Sequence, residues 1–123
     1  MGASTAFRDR IAAICAPLPG AEKSDPWGGG HDAWKVGGKM FACIGAEAPG
    51  VSVKTPDIET AAMLIEAGVG NRAPYFHKSW INLPESIDDA LLGHRITASY
   101  DIMRAGLTKK AQAALAPRDG MEA

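Results

Sequence analysis

The stretch Asp32-Ala33-Trp34-Lys35-Val36-Gly37-Gly38-Lys39-Met40-Phe41-Ala42-Cys43-Ile44 decides the fold. Two runs with strand character flank Gly37-Gly38, a two-residue connection whose positions both tolerate positive φ and so suit a primed hairpin turn. The simplest register sets Trp34 opposite Phe41, an aromatic cross-strand pair. Val51-Ser52-Val53-Lys54 alternates and reads as the next strand, reached through a loop ending in Pro49-Gly50. Strands joined by such short turns are antiparallel.

Helices flank this unit. Upstream, Ser4 is placed to cap a helix whose apolar residues Phe7, Ile11 and Ile14 recur at spacings of four and three, and which stops before Pro17. Downstream, Thr55-Pro56 opens a second helix with Ile58, Ala62 and Ile65 as its apolar stripe and Gly68 as its stop. Ser79-Trp80-Ile81-Asn82-Leu83 is a last strand closed by Pro84. Ser86 with Asp89 then resembles a cap and its reciprocating acid for a long helix carrying Ile87, Leu91, Ala98 and Ile102. The predicted class is α+β, a single domain over residues 1–115. Its elements run α-β-β-β-α-β-α, an antiparallel sheet with helices packed on one face, and residues 116–123 form a disordered tail.

Composition narrows the function. The chain has 123 residues with 13 Lys+Arg against 14 Asp+Glu, a net charge of −1 that excludes a strongly basic nucleic-acid coat protein. No apolar run approaches the roughly 20 residues that cross a bilayer, and the first residues lack the pattern of a signal peptide. Cys15 and Cys43 form no C-x-x-C pair, so two buried thiols in a reducing cytoplasm are expected.

Catalytic and metal motifs are missing. Gly28-Gly29-Gly30 lacks the lysine and the following helix of a phosphate loop and reads as a flexible bend. His31, His77 and His94 have no metal-ligand spacing, and no context selects a Ser/His/Asp trio. Asp88-Asp89 suit the first turn of a helix, and Arg104 with Lys109-Lys110 suit a helix end. The expectation is a protein without catalytic residues, metal or cofactor.

One surface stands out. Period-two parity puts Trp34/Val36, Val51/Val53 and Ile81/Leu83 on the core face, leaving Lys35, Ser52, Lys54, Trp80 and Asn82 on the other. Lys39 at the hairpin tip, with Arg72 and Lys78 around the last strand's loop, extends this face. Lysines with an aromatic ring hold phosphates by charge and bases by stacking. The same pattern also fits lysines solvating a one-sided sheet, with Trp80 structural.

The sequence resembles the MmcQ/YjbR family of small bacterial proteins. Carrying the resemblance are Leu18-Pro19-Gly20-Ala21, the segment from Trp34 to Ala42, Val51-Ser52-Val53-Lys54-Thr55, Pro74-Tyr75-Phe76-His77-Lys78-Ser79-Trp80-Ile81, and Ala98-Ser99-Tyr100. The ordered set covers about residues 5 to 110. It implies a CyaY-like or secretion-chaperone-like fold with hairpins described as a double wing, and the family's usual label of DNA-binding protein. The function expected is therefore non-enzymatic DNA binding through Lys35, Lys39, Lys54, Arg72, Lys78 and Trp80. The alternatives are a protein- or peptide-binding module, and a small-molecule protein with a pocket near Trp27, His31 and Tyr75. No membrane partner is expected.

Overall fold

A computed structural model describes residues 2–118. Its elements are α1 (Thr5–Cys15), β1 (Ala21–Ser24), β2 (Asp32–Val36), β3 (Lys39–Ile44), β4 (Val51–Lys54), α2 (Ile58–Glu66), β5 (Asn71–Arg72), β6 (Trp80–Leu83), α3 (Asp89–Ala105) and α4 (Lys109–Ala113). The strands form one antiparallel sheet in the order β1-β2-β3-β4-β6-β5. The α+β architecture is as expected, and the predicted core residues Trp34, Val36, Val51, Val53, Ile81 and Leu83 are all buried. Two short edge strands, β1 and β5, are added at the flanks. Neither carries apolar alternation, so nothing in their sequence marks them as strands.

The hairpin register differs from the simplest one. Val36 pairs with Lys39 and Lys35 with Met40, but Trp34 then pairs with Ala42, leaving Phe41 as the extra residue of a β-bulge. The bulge lets Phe41 and Ala42 both be buried, and Phe41 meets Tyr100 edge-on at 5.3 Å between ring centroids. At the hairpin tip Gly37 has φ 56°, and a Cβ there would lie 2.6 Å from Leu107 Cδ2, so only glycine lets the tip close onto the chain after α3.

The helices start and face slightly differently from their apolar pattern. Ser4 caps α1 as expected, accepting from the Phe7 N–H at 3.1 Å. Asp57, not Thr55-Pro56, caps α2, accepting from Thr60 N–H at 2.7 Å. The Thr60 hydroxyl and N–H hold the Asp57 carboxyl below the usual carboxylate range, so this cap is fully present above that range and is lost only as pH falls through the lowered value. The inward residues of α2 are Ala61, Leu64 and Ile65, while Ile58 and Ala62 face solvent. Asp88 rather than Ser86 caps α3. The buried side of α3 is Leu92, Ile96, Ser99, Tyr100 and Arg104, one step round from the Leu91/Ala98/Ile102 line.

That offset follows from polar side chains with partners in the core. Tyr100 donates its hydroxyl to Pro19 O and accepts from Arg104 Nη1 at 3.1 Å, so Arg104 belongs to the interior rather than to a basic surface. Ser99 Oγ donates to Phe41 O at 2.7 Å and accepts from Lys54 N–H at 2.9 Å. Arg10 ties α1 to the approach to α3 through Asp89 Oδ1, Glu85 O and Ile87 O. Thr108 caps a separate α4, so Lys109 and Lys110 stand at its start. Of the expected tail, Arg118 pairs with Asp101, Nη2 to Oδ2 at 2.6 Å, and residues 119–123 lie outside the described residues.

Ser99→Ala would leave a buried carbonyl and a buried N–H without partners, at about 1–3 kcal/mol each before relaxation. We expect a loss of about 2–4 kcal/mol, read from the urea midpoint; a change below about 0.5 kcal/mol would contradict the bridge.

Candidate nucleic-acid interface

Strand order decides where the predicted cations gather. Lys35 lies next to the end of β2, Lys39 begins β3, Lys54 ends β4, Arg72 ends β5, and Lys78 precedes β6 by two residues. Because neighbouring strands run in opposite directions, these positions fall at the same end of the sheet. Contact of Gly37 with Leu107 brings Lys109 and Lys110 to this end as well. Asp25, Asp32, Glu47 and Glu85 fall at the other end, after β1, at the start of β2, between β3 and β4, and after β6. Acids also stand among the cations: Glu22, directly across from Lys35, Asp57, which attracts Lys54, and Glu59 in the first turn of α2.

The helix-free face has a clear order. One transverse row is Ser24, Ala33, Cys43, Ser52, Asn82 and Asn71, all uncharged. The row nearer the cationic end holds Glu22, Lys35 and Met40, then Lys54 paired with Trp80. Parity thus places Lys35, Ser52, Lys54, Trp80 and Asn82 on one face as expected, but Ser52 and Trp80 are buried there rather than open. Among the described residues none of Lys35, Lys39, Lys54, Arg72 and Lys78 forms an ion pair, whereas Arg8, Arg10 and Arg118 each hold a carboxylate.

The individual side chains are not equivalent. Lys35 is half-buried, and Lys39 and Lys78 are exposed. Lys39 runs towards the end of α3, where a Cβ on Gly106 would lie 3.7 Å from its Cε. Lys54 donates its ammonium to Ser79 Oγ, which also meets His77 Nδ1 at 2.8 Å. Trp80 is only 8% exposed and stacks on Phe76, with centroids 4.6 Å apart and planes at 29°. That ring fills the surface rather than offering an open face. No spacing signal in the sequence announces the Lys54–Ser79–His77 contact, because it joins the end of β4 to a loop 25 residues later.

This contact has the groups of an activated hydroxyl, but Ser79 is 1% exposed and its carbonyl is held by Thr55 Oγ1 at 2.7 Å and Thr55 N–H at 2.8 Å. Its geometry fixes the β5–β6 loop. Arg72 Nη1 fastens the same loop from its start, donating to Ala73 O and Phe76 O, both at 3.2 Å. Burial pushes the Cys43 thiol up to about 11 and Cys15 further still, so neither is a ready thiolate. No three His, Cys, Asp or Glu side chains converge as metal ligands among the described residues, and no helix there is long and apolar enough to cross a membrane.

Trp27, His31 and Tyr75 do not make one pocket. Trp27 and His31 belong to the β1–β2 connection, where their rings lie 4.9 Å apart, and Tyr75 belongs to the β5–β6 loop at the opposite edge of the sheet. The separation follows from β1 and β5 being the two outer strands. Gly28, Gly29 and Gly30, all at positive φ, fold the first connection back so that the Gly30 and His31 N–H groups reach the Asp25 carboxylate, holding it below its usual range.

A single antiparallel sheet with helices on one face and a cationic end defines a small α+β domain in outline. The chain belongs to the YjbR family, whose model matches residues 16–102. Its fold is similar to the crystal structure of a Deinococcus radiodurans protein carrying a DUF419 domain, at a TM-score of 0.73 and 21% identity over 86% of this chain and 85% of that one. Among curated proteins none matches.

Ser79→Ala removes the acceptor of the Lys54 ammonium and the hydroxyl contact of His77, whose Nδ1 keeps only the Ser79 N–H at 3.2 Å. We expect a loss of about 1–2 kcal/mol in stability, because a charge-assisted hydrogen bond goes but the half-exposed ammonium recovers water. Unchanged thermal unfolding would show that the contact is not part of what fixes the loop.

Proposed function

We propose that the protein is a non-enzymatic DNA-binding domain that grips phosphates with the cationic end of its sheet. The observation that carries this reading is the gathering of Lys35, Lys39, Lys54, Arg72 and Lys78 at one end of the sheet, none of them in an ion pair among the described residues, while Arg8 and Arg10 at the other end are held by Asp32 and Asp89. Affinity for a polyanion depends on local cations that displace counterions, so a chain of net charge −1 still has a surface suited to it. Glu22 and Asp57 within the cationic end favour modest affinity. Backbone contacts of this kind position a nucleic acid without reading its sequence.

In this reading Lys35 and Lys78 meet phosphates directly, with Lys39 and Arg72 at the margins. Lys54 contributes its field while its ammonium keeps the loop in place, and Trp80 supports that loop from beneath. The alternative of a protein partner laid across the middle of the same face has less support, because Ala33, Cys43 and Ser52 in the uncharged row are buried. Salt separates the two, since apolar and neutral polar contacts are little screened.

With about four phosphates contacted, affinity for duplex DNA should fall about 100- to 200-fold between about 50 and 200 mM salt. Lys35→Glu combined with Lys78→Glu should abolish binding with only a small fall in thermal midpoint, as neither side chain has a hydrogen-bond partner to lose and the one new repulsion is that of position 35 with Glu22 across the strand pair. Salt-independent binding, or a double variant that binds like the parent, would remove the DNA reading.

A further inference from the structure

We propose that Tyr75 is a stacking platform for an unpaired base, which makes single-stranded nucleic acid the preferred ligand of the cationic end. The inference rests on the nucleic-acid reading and adds the class of strand. Tyr75 is the one non-glycine residue at positive φ among the described residues, at 70°, and it is fully exposed. A bulky side chain rarely occupies that region, and strain of this sort persists only where the surroundings impose it.

The surroundings here do impose it. Arg72 holds the carbonyls of Ala73 and Phe76 on either side of the tyrosine, Phe76 N–H returns to Ala73 O at 3.4 Å, and the Phe76 ring is stacked on Trp80. Beyond it, His77 and Ser79 are tied to Lys54. The loop therefore keeps an aromatic ring in solvent on a fixed base, although folding gains nothing from burying it. Ligand binding on such a base costs little ordering entropy.

The chemistry around the ring selects the occupant. Its nearest charged neighbours in the chain are Arg72 and Lys78, three residues away on each side, and neither has a carboxylate partner among the described residues. Cations flanking an outward aromatic face match a phosphate backbone with a base between phosphates. In a duplex both faces of each base are already covered, so the ring is useful only to a strand whose bases are free to splay.

The test uses the full chain and fluorescence anisotropy with a labelled oligothymidine of about twelve nucleotides, against a duplex of equal length, at low salt. The single strand should bind more tightly. Tyr75→Ala should weaken it about 5- to 50-fold while leaving the duplex within about two-fold, and Tyr75→Phe should bind like the parent. An abasic strand should bind the parent and Tyr75→Ala equally. Tyr75→Gly, which relieves the backbone, should melt about 2–5 °C above Tyr75→Ala and bind as poorly. If Tyr75→Ala binds the single strand normally while duplex binding keeps its salt dependence, the stacking role is wrong and the phosphate-binding function stands. If neither nucleic acid binds, both fall. A glycine variant melting below the alanine variant would show that position 75 carries no backbone strain, removing the fixed display of the ring and overturning the proposal.

Discussion

The fold turns on one hydroxyl. The bulge at Phe41 interrupts the ladder between β3 and β4 just where Phe41 and Lys54 would face each other, and Ser99 Oγ fills the break by donating to one strand and accepting from the other. A single α3 side chain thus completes the sheet and fixes the helix against it. The aromatic contact of Phe41 with Tyr100, the anchoring of Tyr100 to Pro19, and the placement of Lys54 at the end of β4 all follow from that junction. Buried polar groups carry such weight because, once out of water, each needs a partner.

From Lys54 the constraint passes outward. Its backbone is held by Ser99 on the helix side, and its ammonium by Ser79 at the foot of the β5–β6 loop. The candidate site is thereby built onto the core: one residue belongs to both the ladder and the loop that displays Tyr75. Lysines in such positions are easily mistaken for free charges; Lys35 and Lys78 have no such duty, and the proposed function therefore gives the phosphate contacts to them.

The sequence reading succeeded where one local signal governed the outcome. Ser4 followed by Phe7 and Ile11 gave α1, Gly37-Gly38 gave the hairpin, and alternation in Val51 to Lys54 gave the buried and open faces. Edge strands without alternation, the face of α2 and the polar contacts of the core were not legible in this way. The inward side of α3 was hidden because Ser99, Tyr100 and Arg104 do not look like core residues, and the bulge was hidden because its stabilising partner lies 58 residues away. Trp80 was correctly placed on a face, but Phe76 covering it is a tertiary fact that parity does not carry. The gathering of cations at one end became visible only with the strand order, since β4 pairs with β6 and β5 lies outside both.

Separation of acids from bases along the strand direction gives a nearly neutral molecule an electric polarity. In the field of a polyanion such a body feels a torque before it feels much net pull, so the proposed function would have it turned before it is held. Orientation and grip are then separable properties of the same chain. In the proposed function the carboxylates furthest from the DNA help to aim the molecule, and those nearest to it, Glu22 and Asp57, limit how firmly it holds.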